Sequence, residues 1–330
     1  MHLRILTASD IRRSLSMTAA IEAVESAFVQ YSSGQSNLPP RAHITPDAAA
    51  GTTLFMPAYL PLLQAFGAKI ISIFPSNISR RIPTIHALVL LLDPQTGVPL
   101  GILDGTTLTA LRTGAASGVA TKHLSRPEAS VVAILGAGVQ ARTQLEAVCT
   151  VRRIKTVFVF DSRPELSRAF AEEFSAQGGL FPGDIRVSAS SSEAVRQADI
   201  ICSATTSQTP VFQDADLKPG VHINAIGSYE PHVQEIPAET VCRSKVVVDS
   251  IEASLAETGD FLIPLKAGLF RPAMIHGEIG NVASGSLDGR SSPQEMTLFK
   301  SVGLAVQDIS AGHRALEEAD RLGLGTIIEV

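Results

Sequence analysis

From Ser130 onwards, short apolar runs alternate with segments that have helical periodicity. The runs VVAILGAG, TVFVFD, ADIICSAT, GVHINAIG and SKVVVD are typical of buried strands, and VQARTQLEAV and PELSRAFAEEF are typical of helices. This alternation predicts a doubly wound α/β unit, in which helices cover both faces of a parallel sheet.

The chain before Ser130 has a different pattern. A helix is predicted from about Ser16 to Ser33, because apolar residues recur on one face and Gly34 follows. The runs FGAKIISIFP, TIHALVLLLD and VPLGILDG predict antiparallel strands, with the last two joined by the turn PQTG. A helix rich in small residues is then predicted from Thr109 to about Leu124.

These two patterns predict two domains, which suits a chain of 330 residues. Residues 1–125 form a mixed α+β domain, completed by residues 305–330, and the tail from Ser301 to Leu322 is predicted to be helical. Residues 126–304 form the doubly wound unit, and Arg126-Pro127 marks the boundary between the two.

Composition and charge argue against several classes of protein. Hydrophobic residues make up 45% and charged residues 18% of the chain, which is typical of a folded globular protein. A net charge of −5 with scattered lysines and arginines argues against nucleic acid as a partner. We expect no membrane span, since no apolar run reaches about 18 residues, and no signal peptide. Three cysteines without a CxxC pair predict no disulfide, no metal site and a cytoplasmic location.

A glycine turn between a predicted strand and helix is the strongest local motif. Gly136, Gly138 and Ala141 form the pattern GxGxxA, which lets backbone approach a pyrophosphate at the N-terminus of a helix. Asp161, at the end of the next strand, is placed to accept a hydrogen bond from a ribose 2′-hydroxyl. The motif predicts a Rossmann-type unit that binds NAD(H). Arg163 could meet a 2′-phosphate, so NADP(H) stays open, as does a glycine turn without cofactor.

Three cations in the first domain are candidates for binding an anionic substrate. Lys69 lies within an apolar strand, where it is costly unless it meets an anion; a lysine at a sheet edge is the alternative. Arg41 and Arg112 would singly be ordinary solvated residues, but together with Lys69 they could clamp a carboxylate. His86 shares a predicted strand face with Thr84 and could donate a proton, or be a hydrogen-bonded histidine without function.

Ordered motifs along nearly the whole chain match one known family. They are MPAY from Met56, Lys69, Pro83-Thr84, LDGTTLTALRTGAAS from Leu103, GAGVQA from Gly136, HINAIGS from His222, Gly289-Arg290 and LFKSVGLAVQD from Leu298. On these residues the chain resembles the ornithine cyclodeaminase/mu-crystallin family of NAD(P)-dependent enzymes.

The resemblance implies roles for the matched positions. Arg41, Lys69 and Arg112 would bind the substrate carboxylate, and Thr84 and Arg112 would lie near the nicotinamide. Cofactor contacts are implied for Val139, Gln140, Asp161, Thr205, Asn224, Ala225 and Ile226, with Ser301 closing over the site. The glycine motif itself adds Gly136, Gly138 and Arg163 to the candidate cofactor residues. His86 and Tyr229 are further candidates beside the substrate. Family members are homodimers joined through the antiparallel strands of the first domain, which would also cover otherwise open strand edges.

One position separates the reactions of this family. Cyclodeaminases carry an Asp two residues before the proline that follows the NAxG strand, and Tyr229 stands there in this chain. The strand Thr53–Met56 has no acid to hold a side-chain ammonium, and Val233 replaces a lysine that some members carry. These departures favour a ketimine reductase over a cyclodeaminase.

We therefore expect a reductase that uses NAD(P)H to reduce a small cyclic ketimine carboxylate in proline metabolism, such as 1-pyrroline-2-carboxylate or 1-piperideine-2-carboxylate. An ornithine cyclodeaminase or related amino-acid dehydrogenase is the alternative, with Glu230 in place of the missing Asp. A third alternative is a mu-crystallin-like protein that binds cofactor or a small molecule with little turnover.

Overall fold

The computed structural model describes residues 2–46 and 51–330, which form two compact units. The first unit contains Met1–Arg112 and Leu304–Val330, and the second contains Thr113–Gly303. The boundary between the units thus lies between Arg112 and Thr113, inside a helix. The sequence pattern predicted this boundary between residues 125 and 126. The C-terminal tail belongs to the first unit.

The N-terminal part of the chain forms strands and helices that lead into one long helix. These elements are β1 (His2–Leu6), α1 (Ala8–Ser14), α2 (Met17–Ser32), β2 (Ala42–Ile44), β3 (Thr52–Leu60), β4 (Ala65–Ile73), β5 (Ile85–Leu92), β6 (Pro99–Asp104) and α3 (Gly105–Leu124). Helix α3 begins earlier than the predicted Thr109. The reason is a cap: the Asp104 carboxylate accepts a hydrogen bond from Thr107 N at 2.7 Å.

The middle of the chain alternates strands and helices. These elements are β7 (Val131–Leu135), α4 (Val139–Val151), β8 (Thr156–Phe160), α5 (Pro164–Gln177), β9 (Asp184–Val187), α6 (Ser191–Arg196), β10 (Ile200–Ser203), β11 (His222–Ala225), α7 (Ala238–Arg243), β12 (Lys245–Val248), α8 (Ile251–Glu257), α9 (Gly259–Lys266), β13 (Ile275–Glu278), α10 (Ile279–Ala283) and β14 (Thr297–Lys300). The chain ends with α11 (Ala305–Leu322) and β15 (Thr326–Glu329).

The second unit is built on an eight-stranded parallel sheet in the order β13-β12-β14-β11-β10-β7-β8-β9. Successive side chains of β7 enter two different apolar cores: Ala133 and Leu135 pack on one face of the sheet, and Val132 and Ile134 on the other. A sheet buried on both faces explains why its strands are continuous apolar runs. The predicted Rossmann-type doubly wound fold is confirmed.

The first unit is built on a seven-stranded mixed sheet in the order β15-β1-β6-β5-β4-β3-β2. Strands β3, β4, β5 and β6 are antiparallel neighbours, which confirms the antiparallel prediction for β4, β5 and β6. Helices α2 and α11 pack together, and α11 also lies against β3, β4 and β5. The packed side of α11 is made of small residues such as Ala311, Gly312 and Ala315, so the helix can approach the sheet closely.

Candidate functional site

Two buried cations in the first unit are held by one carboxylate. Lys69 Nζ lies 2.7 Å from Asp308 Oδ2, and Arg112 Nε lies 3.0 Å from Asp308 Oδ1. The Lys69 side chain is 2% exposed, that of Arg112 8%, and that of Asp308 is fully buried. Two positive charges against one negative charge leave this cluster with a net positive charge, so it suits an anionic ligand.

Three elements bring this cluster together. Lys69 lies in β4, where its cross-strand partners are Met56 and Val89, and this row of the sheet is buried. Asp308 lies in the first turn of α11, where a carboxylate is favoured by the helix dipole. Arg112 extends from α3 towards the same carboxylate. Because β4 has a strand on each side, the alternative of a lysine at a sheet edge is wrong.

Burial and neighbouring charge shift the ionisation of the cluster. Burial lowers the pKa of Lys69 to about 8; the charges of Arg112 and Arg41 act in the same direction, and Asp308 opposes them. Burial alone would raise the pKa of Asp308, but Arg112 and Lys69 hold it below its ordinary value. At neutral pH the lysine is therefore still mostly protonated and the carboxylate ionised.

Gln307 completes the surroundings of Arg112. Its Oε1 accepts a hydrogen bond from Arg112 Nη1 at 2.5 Å, which fixes the orientation of the amide. Its Nε2 is buried and has no hydrogen-bond partner in the part of the chain that the structure describes. An unpartnered buried donor is costly, so an acceptor such as a carboxylate oxygen would satisfy it. Arg41 lies half-buried near enough to influence Lys69.

His86 and Thr84 are not part of this cluster within one chain. His86 pairs with Ser72, whereas Lys69 pairs with Val89, so the two side chains project from opposite faces of the sheet. Thr84 lies before β5 begins, and its carbonyl accepts a hydrogen bond from Phe74 N at 2.8 Å. The roles of both residues stay predictions.

The glycine turn of the second unit has the backbone expected of an anion-binding loop. Gly136 has a φ of +86°, and a Cβ there would lie 2.6 Å from the Ala204 carbonyl oxygen. At Gly138, which caps α4, a Cβ would meet nothing within 4 Å. The first helical residue, Val139, is 64% exposed. The N-terminus of α4 is thus open on the side where a ligand backbone would approach.

Asp161 connects the end of β8 to this turn. Its Oδ2 accepts a hydrogen bond from Ala137 N at 2.8 Å, and its Oδ1 accepts one from Arg163 N at 2.9 Å. Both oxygens keep a further lone pair, so the carboxylate can still accept from a ribose hydroxyl. The Arg163 side chain is 68% exposed, with its Nε 3.7 Å from Asp161 Oδ1. Gln140 follows Val139, and its buried Oε1 has no hydrogen-bond partner among the described residues.

These features fit a dinucleotide. The open space at Gly138 lies at the N-terminus of α4, where a pyrophosphate is favoured. Asp161 would hold the adenosine ribose, and the Arg163 side chain extends towards solvent. The residues of this unit therefore match the requirements of NAD(H).

The remaining predicted cofactor residues lie in β11 or directly after β10, β11 and β14. Thr205 N donates to Glu235 Oε1 at 2.7 Å, and Ser301 Oγ donates to Asp249 Oδ2 at 2.7 Å. The Asn224 side chain is fully buried and donates to Thr121 Oγ1 at 3.0 Å, so it is already engaged within the unit. Ala225 is also buried, whereas the backbone after it, at Ile226, is only half-buried. A cofactor contact at Asn224 would therefore use neighbouring backbone.

Tyr229 and Glu230 lie in the loop after β11. Tyr229 is 48% exposed, and burial together with Glu230 raises the pKa of its phenol. Glu230 Oε2 lies 3.3 Å from His232 Nε2, and its side chain is 47% exposed. The carboxylate that could replace the missing Asp thus faces a neighbouring imidazole.

Sequence reasoning missed two members of the cation cluster. Asp308 and Gln307 belong to the matched run LFKSVGLAVQD, but no role was assigned to either. The sequence shows only two adjacent polar residues among small and apolar ones; their complete burial is visible in the structure alone. Among residues 2–46 and 51–330, no group of three potential metal ligands occurs. In the same ranges, no helix has the length and apolarity needed to cross a membrane.

Fold and site together define a two-unit α/β protein whose second unit has the Rossmann-type architecture and glycine turn. The family model "Ornithine cyclodeaminase/mu-crystallin family" matches residues 1–321. The chain belongs to the ornithine cyclodeaminase/mu-crystallin family, which confirms the resemblance seen in the sequence.

Two reductases and an alanine dehydrogenase are among the proteins similar to this chain. A Delta(1)-pyrroline-2-carboxylate reductase of Bacillus cereus is 40% identical over 326 residues, which cover 98% of this chain and 99% of that protein. The structure of Thermococcus litoralis Delta(1)-pyrroline-2-carboxylate reductase with NADH and L-proline has a TM-score of 0.92 and 42% identity, covering 98% and 99% of the two chains. An archaeal alanine dehydrogenase dimer with bound NAD has a TM-score of 0.92 and 35% identity, covering 100% and 99%.

Proposed function

We propose that the protein is an NAD(P)H-dependent reductase of small cyclic ketimine carboxylates, such as 1-pyrroline-2-carboxylate or 1-piperideine-2-carboxylate. The product is the cyclic amino acid. The observation that carries the proposal is the pair of buried cations, Lys69 and Arg112, held by the single carboxylate of Asp308. The similarity to two proteins named Delta(1)-pyrroline-2-carboxylate reductase supports the substrate class.

The cation cluster binds the substrate carboxylate. Lys69 and Arg112 each keep N–H groups beyond those that Asp308 occupies, and Arg41 adds a third positive charge nearby. The unpartnered Nε2 of Gln307 offers a further donor to a carboxylate oxygen. Because Asp308 fixes both cations, little side-chain entropy is lost when the substrate binds.

The second unit binds the cofactor. When bound, NADH or NADPH supplies the hydride that reduces the C=N carbon. The turn from Gly136 to Val139 holds the pyrophosphate through backbone N–H groups, and Asp161 accepts from the adenosine ribose. This carboxylate favours NAD(H), and the exposed Arg163 allows NADP(H) to be tolerated.

The reaction needs orientation of the substrate more than a strong protein base. The ketimine enters as its protonated iminium, so its nitrogen already carries the proton that the product amine keeps. A cyclodeaminase must instead deprotonate an α-ammonium, for which Tyr229 is unsuited because its pKa is raised above about 10. Glu230 is half-exposed and faces His232. Both observations favour reduction over cyclodeamination.

We propose a homodimer joined through the sheet of the first unit. On the face opposite Lys69, Phe55 pairs with Ile70 and Ile70 with Leu88, and all three are between 37% and 54% exposed. An exposed row of large apolar side chains on a sheet is typical of a protein interface. The dimeric alanine dehydrogenase at 35% identity supports this assembly.

We also propose that the protein works in a reducing compartment, namely the cytoplasm. All three cysteines are free, and burial raises the pKa of the Cys149 and Cys202 thiols to about 12. Thiols that stay protonated and buried do not form disulfides.

The experiment that tests the function is turnover of a preformed ketimine. Purified protein is mixed with 1-pyrroline-2-carboxylate and NADH or NADPH, and separately with the six-membered 1-piperideine-2-carboxylate. The proposal predicts oxidation of the cofactor with stoichiometric formation of the cyclic amino acid. Ornithine with NAD should release no ammonia; stoichiometric proline and ammonia from ornithine would contradict the proposal.

A further inference from the structure

Glu235 is a fully buried carboxylate that the proposed reaction does not use. It lies between β11 and α7, with a relative exposure of 0%. Its Oε1 accepts a hydrogen bond from Thr205 N at 2.7 Å, and its Oε2 accepts one from Gly227 N at 3.0 Å. Thr205 follows β10 and Gly227 follows β11, so one side chain holds two loops together.

A second buried carboxylate fixes Glu235 itself. Asp260 Oδ1 accepts hydrogen bonds from Glu235 N at 2.6 Å and Ile236 N at 2.9 Å, and Lys300 Nζ donates to Asp260 Oδ2 at 2.8 Å. Asp260 and Lys300 are also 0% exposed. Burial raises the pKa of Glu235, and the charge of Asp260 adds to this, whereas the Thr205 hydrogen bond and Lys300 act against it. Because desolvation of a carboxylate is costly, we expect a fully buried one to be needed for the geometry of the groups that it holds.

The two loops lie where parallel sheets bind their ligands. They leave the carboxyl ends of β10 and β11, and β10 neighbours β7, whose end carries Gly136. A Cβ on Gly136 would lie 3.2 Å from Thr205 Cγ2, so the glycine turn and the Thr205 loop are in close contact. A Cβ on Gly227 would lie 2.3 Å from Glu235 Oε2, so this loop requires a glycine. The Glu235 carboxylate thus sets the spacing of loops around the strand-end crevice.

We propose that Glu235 is a positioning residue for the nicotinamide half of the cofactor, acting through the backbones of Thr205 and Gly227. The inference rests on the proposed function and deepens it. Glu235 does not touch the cofactor. It keeps both loops in the conformation that receives the nicotinamide, so the loops lose little conformational entropy when the cofactor binds.

Glu235→Gln tests this role with a minimal change in shape. A carboxylate accepts from both loops, but an amide can accept only through its oxygen, so its NH₂ group would oppose the second backbone N–H. NADH affinity should fall roughly tenfold, as for the loss of one hydrogen bond to a charged group. ADP-ribose lacks nicotinamide, so its affinity should change by less than about twofold.

Two further variants separate positioning from general stability. Asp199→Asn is the matched control, because Asp199 is also a buried carboxylate that accepts two backbone hydrogen bonds, from Ser130 N at 2.9 Å and from Val131 N at 3.0 Å. These bonds lie at the start of β7 and β10, at the opposite end of the same sheet. Asp199→Asn should lower the melting temperature without changing NADH affinity. Gly227→Ala should displace the Glu235 carboxylate and so weaken NADH while sparing ADP-ribose.

Dissociation constants for NADH and ADP-ribose, measured without substrate, decide the question. A selective loss of NADH affinity in Glu235→Gln and Gly227→Ala supports the inference. An equal loss of affinity for both ligands, or an unchanged affinity for NADH, would overturn it. If Glu235→Gln does not fold, Gly227→Ala decides by the same criteria. Wild-type protein that binds neither NADH nor NADPH would instead overturn the proposed function.

Discussion

At the residue scale, the candidate site depends on Lys69 being buried without being neutralised. The sequence predicted the lysine as an anion ligand but left a sheet-edge lysine as an equal alternative. Asp308 decides between them, because its carboxylate holds both Lys69 and Arg112. It lies 239 residues from Lys69 along the chain. A single sequence contains no signal that pairs two such distant residues, so Asp308 could not be assigned from it.

Removal of either cation should reduce catalysis strongly. Lys69→Ala or Arg112→Ala loses a charge-assisted hydrogen bond to the substrate carboxylate, which should lower kcat/KM roughly ten- to a hundredfold. Arg41→Ala should act mainly on KM. Lys122→Ala, an exposed cation on the same helix as Arg112, is the control and should behave as wild type. Near wild-type kcat/KM in either cluster variant would show that the carboxylate site is misassigned.

The site should also depend on pH in a defined direction. Burial lowers the pKa of Lys69 to about 8, so the lysine loses its charge as the pH rises through that value. Binding of pyrrole-2-carboxylate, a planar mimic without an imine nitrogen to titrate, should therefore weaken above about pH 8. Titration calorimetry between neutral and alkaline pH measures this. Affinity that stays constant up to the ordinary lysine range would contradict the lowered pKa.

At the element scale, apolar runs predicted the strands β4 to β8 and β10 to β12 well, because burial on one or both faces imposes a visible pattern. The strands β1, β2, β9, β13, β14 and β15 were not predicted, since each is short and polar residues interrupt its apolar run. Ser301 to Leu304 were included in the C-terminal helix, but α11 begins only at Ala305. The glycine turn was predicted in detail because its residue types are set by backbone geometry that only glycine tolerates.

The connection between β8 and α5 should determine cofactor choice. Asp161→Ser removes the carboxylate that would repel a 2′-phosphate, so preference should shift towards NADP(H). NADH affinity should also fall, because the variant loses the hydrogen bond from Ala137 N. Arg163→Ala removes the side chain that could meet the 2′-phosphate, so it should weaken the binding of NADPH and leave that of NADH unchanged. Ratios of kcat/KM for the two cofactors measure both effects, and a wild type that strongly prefers NADPH would contradict the assigned role of Asp161.

At the scale of the whole molecule, the sequence predicted two units but not where the chain passes between them. The structure divides the long helix α3 between Arg112 and Thr113. Helical periodicity continues through this point without interruption, so no sequence signal marks it. The sequence predicted that the C-terminal helix belongs to the first unit only because this helix lies beyond the alternating strands of the second unit.

The proposed assembly can be tested at the exposed sheet face. Leu88→Lys places a charge at one end of the apolar row formed by Phe55, Ile70 and Leu88, where burial against a second subunit would cost several kcal/mol. The dimer should dissociate, which light scattering after size-exclusion chromatography measures. Val187→Lys, at an exposed apolar position on the edge strand β9, should leave the mass unchanged. A monomeric wild type would contradict the proposal.

The central claim is that hydride passes from a reduced nicotinamide to the C=N carbon of a cyclic ketimine carboxylate. Its most direct test is turnover of 1-pyrroline-2-carboxylate with each of the two NADH stereoisomers deuterated at C4, followed by mass spectrometry of the product. The account predicts that one stereoisomer gives proline with deuterium at Cα, and that Lys69→Ala forms this product roughly ten- to a hundredfold more slowly. Proline without deuterium from both stereoisomers, or no proline at all, would contradict the account.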